Sequence, residues 1–197
     1  MFKKIFNKKR KDKTPVEKYM AHWDRVFNKE PEYYQNESNT SALPGVTSII
    51  YRDVPEKGMT TALTYGLSLV EHSDWKMGRP ELIITVNSTD INWGQAIGFM
   101  ANKLRGDCPF SYSNTINFGI PISKYSDLNA FLVFAPTIFI NKEEYLNIDI
   151  GLDYTISIAG MYPIYAEEMD FINARGLEYF LKQPGLDLYD VQRKRIQ

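Results

Sequence analysis

The feature that most constrains the fold is a pair of strand-like segments between residues 58 and 86. The first covers residues 61–70 and the second covers residues 79–86. Threonine, tyrosine and β-branched residues dominate both, and these residue types favour a pleated, half-buried surface. The connection over residues 71–78 is too long and too polar for a tight hairpin turn. We therefore predict two neighbouring core strands joined by a functional loop.

Helices are predicted on both sides of this strand pair. Thr14, Pro15 and Glu17 form a capping box with proline at the first helical position, and apolar residues follow at helical spacing. A second helix is predicted over residues 91–105, with Trp93 on its buried face. The remaining segments are predicted as a loop at 30–45, strands at 46–54, 117–122, 131–134, 137–140, 146–150 and 155–162, and helices at 164–175 and 176–182.

The pattern as a whole predicts an α+β fold: a single domain with a mixed, mostly antiparallel sheet and flanking helices. The strands and helices do not alternate in the regular rhythm of a parallel βαβ protein. A chain of 197 residues with 44% hydrophobic content can build one such core. We predict the domain over residues 14–185, preceded by a basic, disordered leader at 1–13 and followed by a loose, charged tail at 186–197.

Charge is distributed unevenly along the chain. Residues 1–13 contain seven basic residues and one acidic residue, which gives a net charge of +6. Residues 14–197 contain 16 basic and 23 acidic residues, so their net charge is −7. Such a body is a poor match for nucleic-acid phosphates and a better match for a basic protein partner. The leader also contains Phe2, Ile5 and Phe6, so weak contact with an anionic membrane surface is a further hypothesis.

The sequence gives no sign of an oxidising compartment or of a membrane span. Cys108 is the only cysteine, so an internal disulfide is excluded. No apolar run approaches the ~18 residues that a transmembrane helix needs. The basic N-terminus is not followed by the apolar segment of a secretory signal. We therefore predict a cytoplasmic location.

Catalytic chemistry has few candidates. Gly66-Leu67-Ser68 matches the first half of a nucleophile elbow, but the second glycine is missing. His22 and His72 lie in no metal-binding spacing, so we expect neither a metal nor another cofactor. Asp149 and Asp153, near a strand end, would have to converge on a cleft to act as a carboxylate pair. A non-enzymatic protein is the main interpretation, and a small hydrolase that uses Ser68 or the Asp149/Asp153 pair is the alternative.

The order of the segments is more informative than any one of them. Thr64-Tyr65-Gly66-Leu67-Ser68 is followed by Arg79-Pro80-Glu81-Leu82-Ile83-Ile84, and then by a helix that opens with Trp93 and ends at Gly106-Asp107. Two closing helices follow at 163–181. In this order the motifs resemble the Suppressor of fused (SUFU) domain over about residues 15–183. The chain is too short for the second domain of the animal proteins, so it is similar to the compact bacterial members.

The resemblance implies an α+β domain that binds proteins and carries no catalytic residues. Animal relatives sequester transcription factors by gripping a peptide against the sheet, and bacterial relatives associated with toxin systems look like immunity proteins. We therefore predict a protein or peptide partner, with a toxin domain as the specific candidate. Trp and Tyr concentrate at binding hot spots. The candidate binding residues are Tyr65, Trp75, Trp93 and Tyr162.

Overall fold

The computed structural model describes residues 12–39, 42–76 and 78–196. Its strands are β1 (Glu32–Gln35), β2 (Thr47–Arg52), β3 (Thr60–Tyr65), β4 (Arg79–Val86), β5 (Thr115–Asn117), β6 (Ala130–Phe134) and β7 (Ile156–Ile164). Its helices are α1 (Pro15–Phe27), α2 (Asn92–Leu104), α3 (Ala166–Arg175) and α4 (Leu177–Leu181). The strands form one seven-stranded sheet in the order β1-β2-β3-β4-β7-β6-β5.

The sheet is mixed and mostly antiparallel, as predicted. Strands β1 to β4 follow one another as antiparallel neighbours. Strand β4 then pairs in parallel with β7, with Arg79 opposite Ile156 and Ile83 opposite Gly160. Strands β7, β6 and β5 complete the sheet in antiparallel order. The α+β class with flanking helices is therefore confirmed, in a single domain.

Helix α2 covers one face of the sheet, here called the α2 face. Its side chains Trp93 and Ile97 are fully buried and pack in the same cluster as Ile50 and Leu82. The backbone of α2 lies very close to the strands, because a Cβ added at Gly94 would meet Ile50 at 2.7 Å. This close approach explains why glycine occurs inside an otherwise good helix.

Helix α1 covers the opposite face, here called the α1 face. Its start is fixed by the predicted capping box: the Glu17 amide donates to the Thr14 hydroxyl at 3.3 Å, and the Glu17 carboxylate accepts the Thr14 amide at 2.7 Å. Tyr19 and Trp23 of this helix are fully buried, and they pack on Ile49 and other residues of β2, β3 and β7. Helices α3 and α4 cover the remainder of this face, over β6 and the end of β7.

Several predicted boundaries are wrong. Strand β3 ends at Tyr65, because residues 67–69 turn into a short 3-10 helix. Residues 137–140 and 146–150 are not strands; the latter segment makes a single bridge, between Ile148 and Ile156. Conversely, β1 lies where a loop was predicted. Its four residues are half-buried or exposed in alternation, which is typical of an edge strand and gives little apolar signal.

The expectation of a loose tail is also wrong. Leu186, Leu188 and Tyr189 pack in the cluster formed by α3, α4 and the end of β7. Val191 and Arg193 are both 5% exposed, so the segment to residue 196 is part of the folded body. The predicted leader, by contrast, lies almost entirely at residues 1–11, outside the described residues. Within the described ranges, no helix has the length and apolar character needed to cross a bilayer.

Candidate protein-binding surface

Two of the four predicted binding residues lie in the core. Trp93 is 0% exposed and Tyr162 is 4% exposed, so the prediction that they line an exposed groove is wrong. The Tyr162 hydroxyl donates to the carbonyl oxygen of Ala135 at 2.8 Å and accepts the amide of Thr137 at 3.0 Å. Burial raises the pKa of Tyr162 to about 12. Both rings are large fillers of the core, and the burial of Trp93 agrees with the prediction that it lies on the buried face of α2.

The other two, Tyr65 and Trp75, are partly exposed. Tyr65 ends β3, and its ring lies 5.1 Å from that of Tyr19, centroid to centroid. Trp75 lies in the loop before β4, where its indole N–H donates to the carbonyl oxygen of Pro109 at 2.9 Å. Each ring is therefore anchored in the fold and partly exposed, and the binding role of Tyr65 and Trp75 stays a prediction.

A buried carboxylate fixes the turn that follows Tyr65. Glu81, on β4, is 0% exposed. One of its oxygens accepts the amides of Gly66 and Ser68, at 2.8 and 3.0 Å, and the Ser68 hydroxyl at 2.7 Å. The other oxygen accepts the Thr64 hydroxyl at 2.6 Å. These bonds tie the turn at residues 66–68 to the centre of the sheet.

Electrostatics at this turn follow from burial. Desolvation raises the pKa of Glu81 even though the Thr64 and Ser68 bonds act in the opposite direction. Burial and the nearby Glu81 carboxyl together raise the pKa of Tyr65 to about 12. Arg105 adds a second restraint, because its guanidinium donates to the carbonyl oxygen of Gly66 at 3.1 Å. The turn is therefore held by hydrogen bonds to the side chains of Glu81 and Arg105.

Beside this turn lies a cavity of about 500 Å³, here called the Tyr65 groove. Its lining is mainly apolar and includes Tyr65, Leu69, Val16 and Leu152. Val16 is 43% exposed and Leu152 is 40% exposed, both unusually open for aliphatic side chains at one site. Exposed apolar side chains grouped at a concave surface are typical of a protein-interaction site.

Two further cavities continue this surface. One, of about 550 Å³, is lined by Leu152, Asp149, Asp153 and Tyr154 and is here called the acidic groove. The other, of about 270 Å³, shares Tyr154 and is lined by Trp75, His72, Glu71 and Arg79. The Tyr65 groove and the acidic groove share Leu152, and the acidic groove and the third cavity share Tyr154, so the three cavities are neighbours on the protein surface.

Arg79 connects the parts of this surface. Its guanidinium carbon lies 3.9 Å from the centroid of the Tyr154 ring, a close cation–π contact. The same group donates to the carbonyl oxygens of Ser68 and Val70, at 3.3 and 3.0 Å, and to the Glu71 carboxylate at 2.6 Å. Its charge is therefore committed to holding the turn and the loop in place.

The geometry disfavours the serine version of the hydrolase alternative. Ser68 is 0% exposed, and its hydroxyl donates to Glu81, so no substrate can reach it without opening the turn. Asp149 accepts the amide of Gly151 at 2.7 Å and shares the acidic groove with Asp153; their catalytic use stays a prediction. Across the described ranges, no three potential metal-binding side chains come together.

Sequence reasoning missed Glu81, Leu152, Tyr154 and the edge strand β1 as parts of this region. Only Glu81 gave a signal: it is an acidic residue inside an otherwise apolar strand, and such a residue is buried only when donors surround it. The fold and the surface together define an α+β domain with a carboxylate-anchored turn beside an open, partly apolar concave surface.

The chain belongs to the suppressor of fused family. The model of the family described as Suppressor of fused protein (SUFU) matches residues 44–194. That range contains β2 to β7, all of the Glu81 network and the ordered tail as far as Lys194. A search of the curated proteins gave no match.

Solved structures show the same fold at low sequence identity. A protein described as a SUFU homolog from Neisseria gonorrhoeae aligns over 90% of this chain and 94% of its own, with TM-score 0.70 and 17% identity. A chain of the Sufu–Fu complex aligns over 95% of this chain and 93% of its own, with TM-score 0.62 and 14% identity. Drosophila Suppressor of Fused aligns over 91% of this chain but 50% of its own, with TM-score 0.63 and 14% identity.

Proposed function

We propose that the chain is a non-enzymatic protein-binding module that acts as an immunity protein, binding and neutralising a cognate toxin in the cytoplasm. The observation that carries the binding part is the Tyr65 groove. Val16 and Leu152 remain open to solvent there, beside a turn that Glu81 holds rigid. A rigid apolar surface binds with little loss of conformational entropy.

Charge supports a basic partner. Glu71, Asp149 and Asp153 line the cavities next to the Tyr65 groove. The Glu71 charge is paired with Arg79, whereas Asp153 is exposed. Residues 14–197 as a whole carry a net charge of −7. A basic toxin domain, such as a nuclease that binds phosphates, would be attracted to this surface and would have its own basic site covered.

Family membership supports protein binding as the mode of action. The similar structures include a chain from the Sufu–Fu complex, which is a complex between proteins. The toxin as partner and neutralisation as outcome rest on the resemblance to bacterial members and on the acidic surface.

Co-expression tests the proposal directly. Each reading frame adjacent to the gene would be expressed in a bacterial host, with and without this chain, and growth would be measured. We expect one neighbour to encode a toxic protein and this chain to restore growth. Purified toxin and chain should then associate faster at low salt. If no neighbour is toxic, or if the toxic one is not neutralised, the immunity proposal fails.

Matched variants identify the surface. Asp153→Lys in the acidic groove and Asp170→Lys on α3 make the same charge change at two exposed positions, and Asp170 lines none of the three cavities. We expect Asp153→Lys to slow association and weaken growth rescue, while Asp170→Lys leaves both unchanged. Leu152→Ser should also weaken binding, since the side chain contributes to the groove and little to the core. Equal behaviour of the two lysine variants would contradict the assigned surface.

A further inference from the structure

Strand β1 forms an edge of the sheet, and within the described residues its outer side pairs with no other strand. The amide of Asn36 donates to the carbonyl oxygen of Val46 at 3.0 Å, which fixes the phase of the β1–β2 ladder. Hydrogen-bonded and non-hydrogen-bonded residue pairs alternate along an antiparallel ladder. The backbone N–H and C=O groups of Tyr34 therefore point toward β2, whereas those of Tyr33 and Gln35 point away from the sheet. Tyr33 is 57% exposed, so this edge is accessible. Such an edge is a template for another strand.

On the α2 face beside β1 lies a cavity of about 570 Å³, here called the amide cavity. Its lining residues are all uncharged, although 24% of the chain is charged. Asn92 and Gln95 contribute side-chain amides that have no hydrogen-bond partner within the described ranges. Phe99, 46% exposed, and Phe118 contribute apolar rings. The cavity therefore suits a neutral group that both accepts and donates hydrogen bonds.

Ser48 is a buried polar residue at the wall of the amide cavity. Its side chain lines the cavity, the residue is 1% exposed, and its hydroxyl has no hydrogen-bond partner in the described part of the chain. An unpaired buried hydroxyl costs free energy, and native structures contain few of them. Gly98 of α2 leaves the space that this hydroxyl occupies, because a Cβ there would lie 2.0 Å from it.

The two faces of β1 open into two different cavities. Gln35 lines both the amide cavity and the Tyr65 groove. Tyr34 is paired with Ser48, on the α2 face, whereas Tyr33 is paired with Ile49, on the α1 face. Successive side chains of a strand added to β1 would point alternately to these faces. One set would enter the apolar Tyr65 groove and the other set would enter the amide cavity.

We infer that β1 is a docking edge for an extended segment of the partner, in which apolar side chains alternate with uncharged polar side chains. The inference rests on the proposed function, because the partner supplies this segment. The backbone groups of Tyr33 and Gln35 provide affinity, and the two cavities provide specificity. A charged side chain entering the amide cavity would lose hydration without meeting an opposite charge.

A peptide selection tests the inference without knowledge of the partner. A phage-displayed library of linear seven-residue peptides is selected on the full-length chain, and the dissociation constants of the selected peptides are measured by fluorescence polarisation. Gln35→Pro removes an outward N–H and leaves the β1–β2 ladder intact. Thr115→Pro is the matched control on β5, at the opposite edge of the sheet. Gln95→Glu, on α2, places a charge in the amide cavity without altering the strand.

We expect selected peptides to show the alternating pattern. Gln35→Pro and Gln95→Glu should each raise their dissociation constants about tenfold, the effect of losing one well-formed interaction, and Thr115→Pro should leave them unchanged. Unchanged binding to Gln95→Glu and Gln35→Pro, or a loss confined to Thr115→Pro, would overturn the docking edge. Growth rescue distinguishes a failure of this inference from a failure of the proposed function. If Gln35→Pro restores growth as well as wild type does, only the docking edge is refuted. If wild type itself does not restore growth, the proposed function is refuted.

Discussion

Replacing Arg193 with alanine is expected to destabilise the domain by about 3 kcal/mol, the lower end of the range for breaking a buried ion pair. Arg193 and Glu168 have side chains that are 2% and 0% exposed, and two N–H···O contacts join them, at 2.6 and 2.7 Å. Removal of the guanidinium leaves the carboxylate buried without its counter-charge. The lower end of the range applies because Glu168 keeps the amides of Tyr165 and Ile196 as donors, at 3.0 and 2.9 Å.

The tail offers a matched control two residues away. Arg195 also bonds a glutamate, Glu167, but these side chains are 46% and 62% exposed. Solvent screens such a pair, so Arg195→Ala should change the free energy of unfolding by less than about 1 kcal/mol. A loss of 3 kcal/mol in a chain of this size lowers the melting temperature by roughly 6–12 °C.

Urea unfolding followed by tryptophan fluorescence measures both variants. Wild type, Arg193→Ala and Arg195→Ala should share one slope with urea concentration, with the Arg193→Ala midpoint clearly lower. If the free energies of unfolding of Arg193→Ala and Arg195→Ala differ by less than about 1 kcal/mol, the Arg193–Glu168 ion pair does not hold the tail. The reasoning that makes residues 186–196 part of the domain would then be refuted.

Two further predictions concern the Glu81 network and the loop glycines. Because burial raises the Glu81 pKa above its ordinary value of 4.5, the carboxyl's contribution to stability is full below that value and is lost as the pH rises through the raised pKa. The free energy of unfolding of wild type should therefore fall relative to Glu81→Gln as the pH rises above 4.5, and parallel curves would contradict this. Gly58 and Gly78 both have positive φ, +89° and +87°, but an added Cβ meets nothing at Gly58 and lies 2.7 Å from the Thr155 carbonyl oxygen at Gly78. Gly58→Ala should cost about 1–2 kcal/mol in thermal unfolding and Gly78→Ala distinctly more; equal costs would contradict the steric argument.

The elements with strong local patterns were predictable from sequence. The Thr14 capping box, the apolar stripe of α1, strand β4 and helix α2 all occur within a few residues of their predicted ends. Each depends on neighbours in the chain, through caps or periodicity, and such signals are present in the sequence itself. The order of these elements was also sufficient to indicate the family.

Features that depend on distant partners were not predictable. Glu81 is tolerated in an apolar strand because a separate turn supplies its donors. Arg193 lies in a charged tail, and nothing nearby in the sequence shows that Glu168 meets it. Tyr162 was chosen by residue type, but its burial is decided by which face of the sheet α3 and α4 cover. The edge strand β1 carries polar residues because solvent covers one side of it.

The parallel pairing of β4 with β7 sets the order in which a nascent chain can complete its sheet. Strands β1 to β4 are neighbours in sequence and can pair soon after synthesis, whereas residues 87–155 separate β4 from β7. At a translation rate of roughly 5–20 residues per second, several seconds pass between the synthesis of β4 and the synthesis of β7. Throughout that interval its open side presents Leu82-Ile83-Ile84-Thr85-Val86, an apolar, β-prone segment without charge. The native sheet buries this strand at its centre, and during translation the same strand is the point at which two unfinished chains can join.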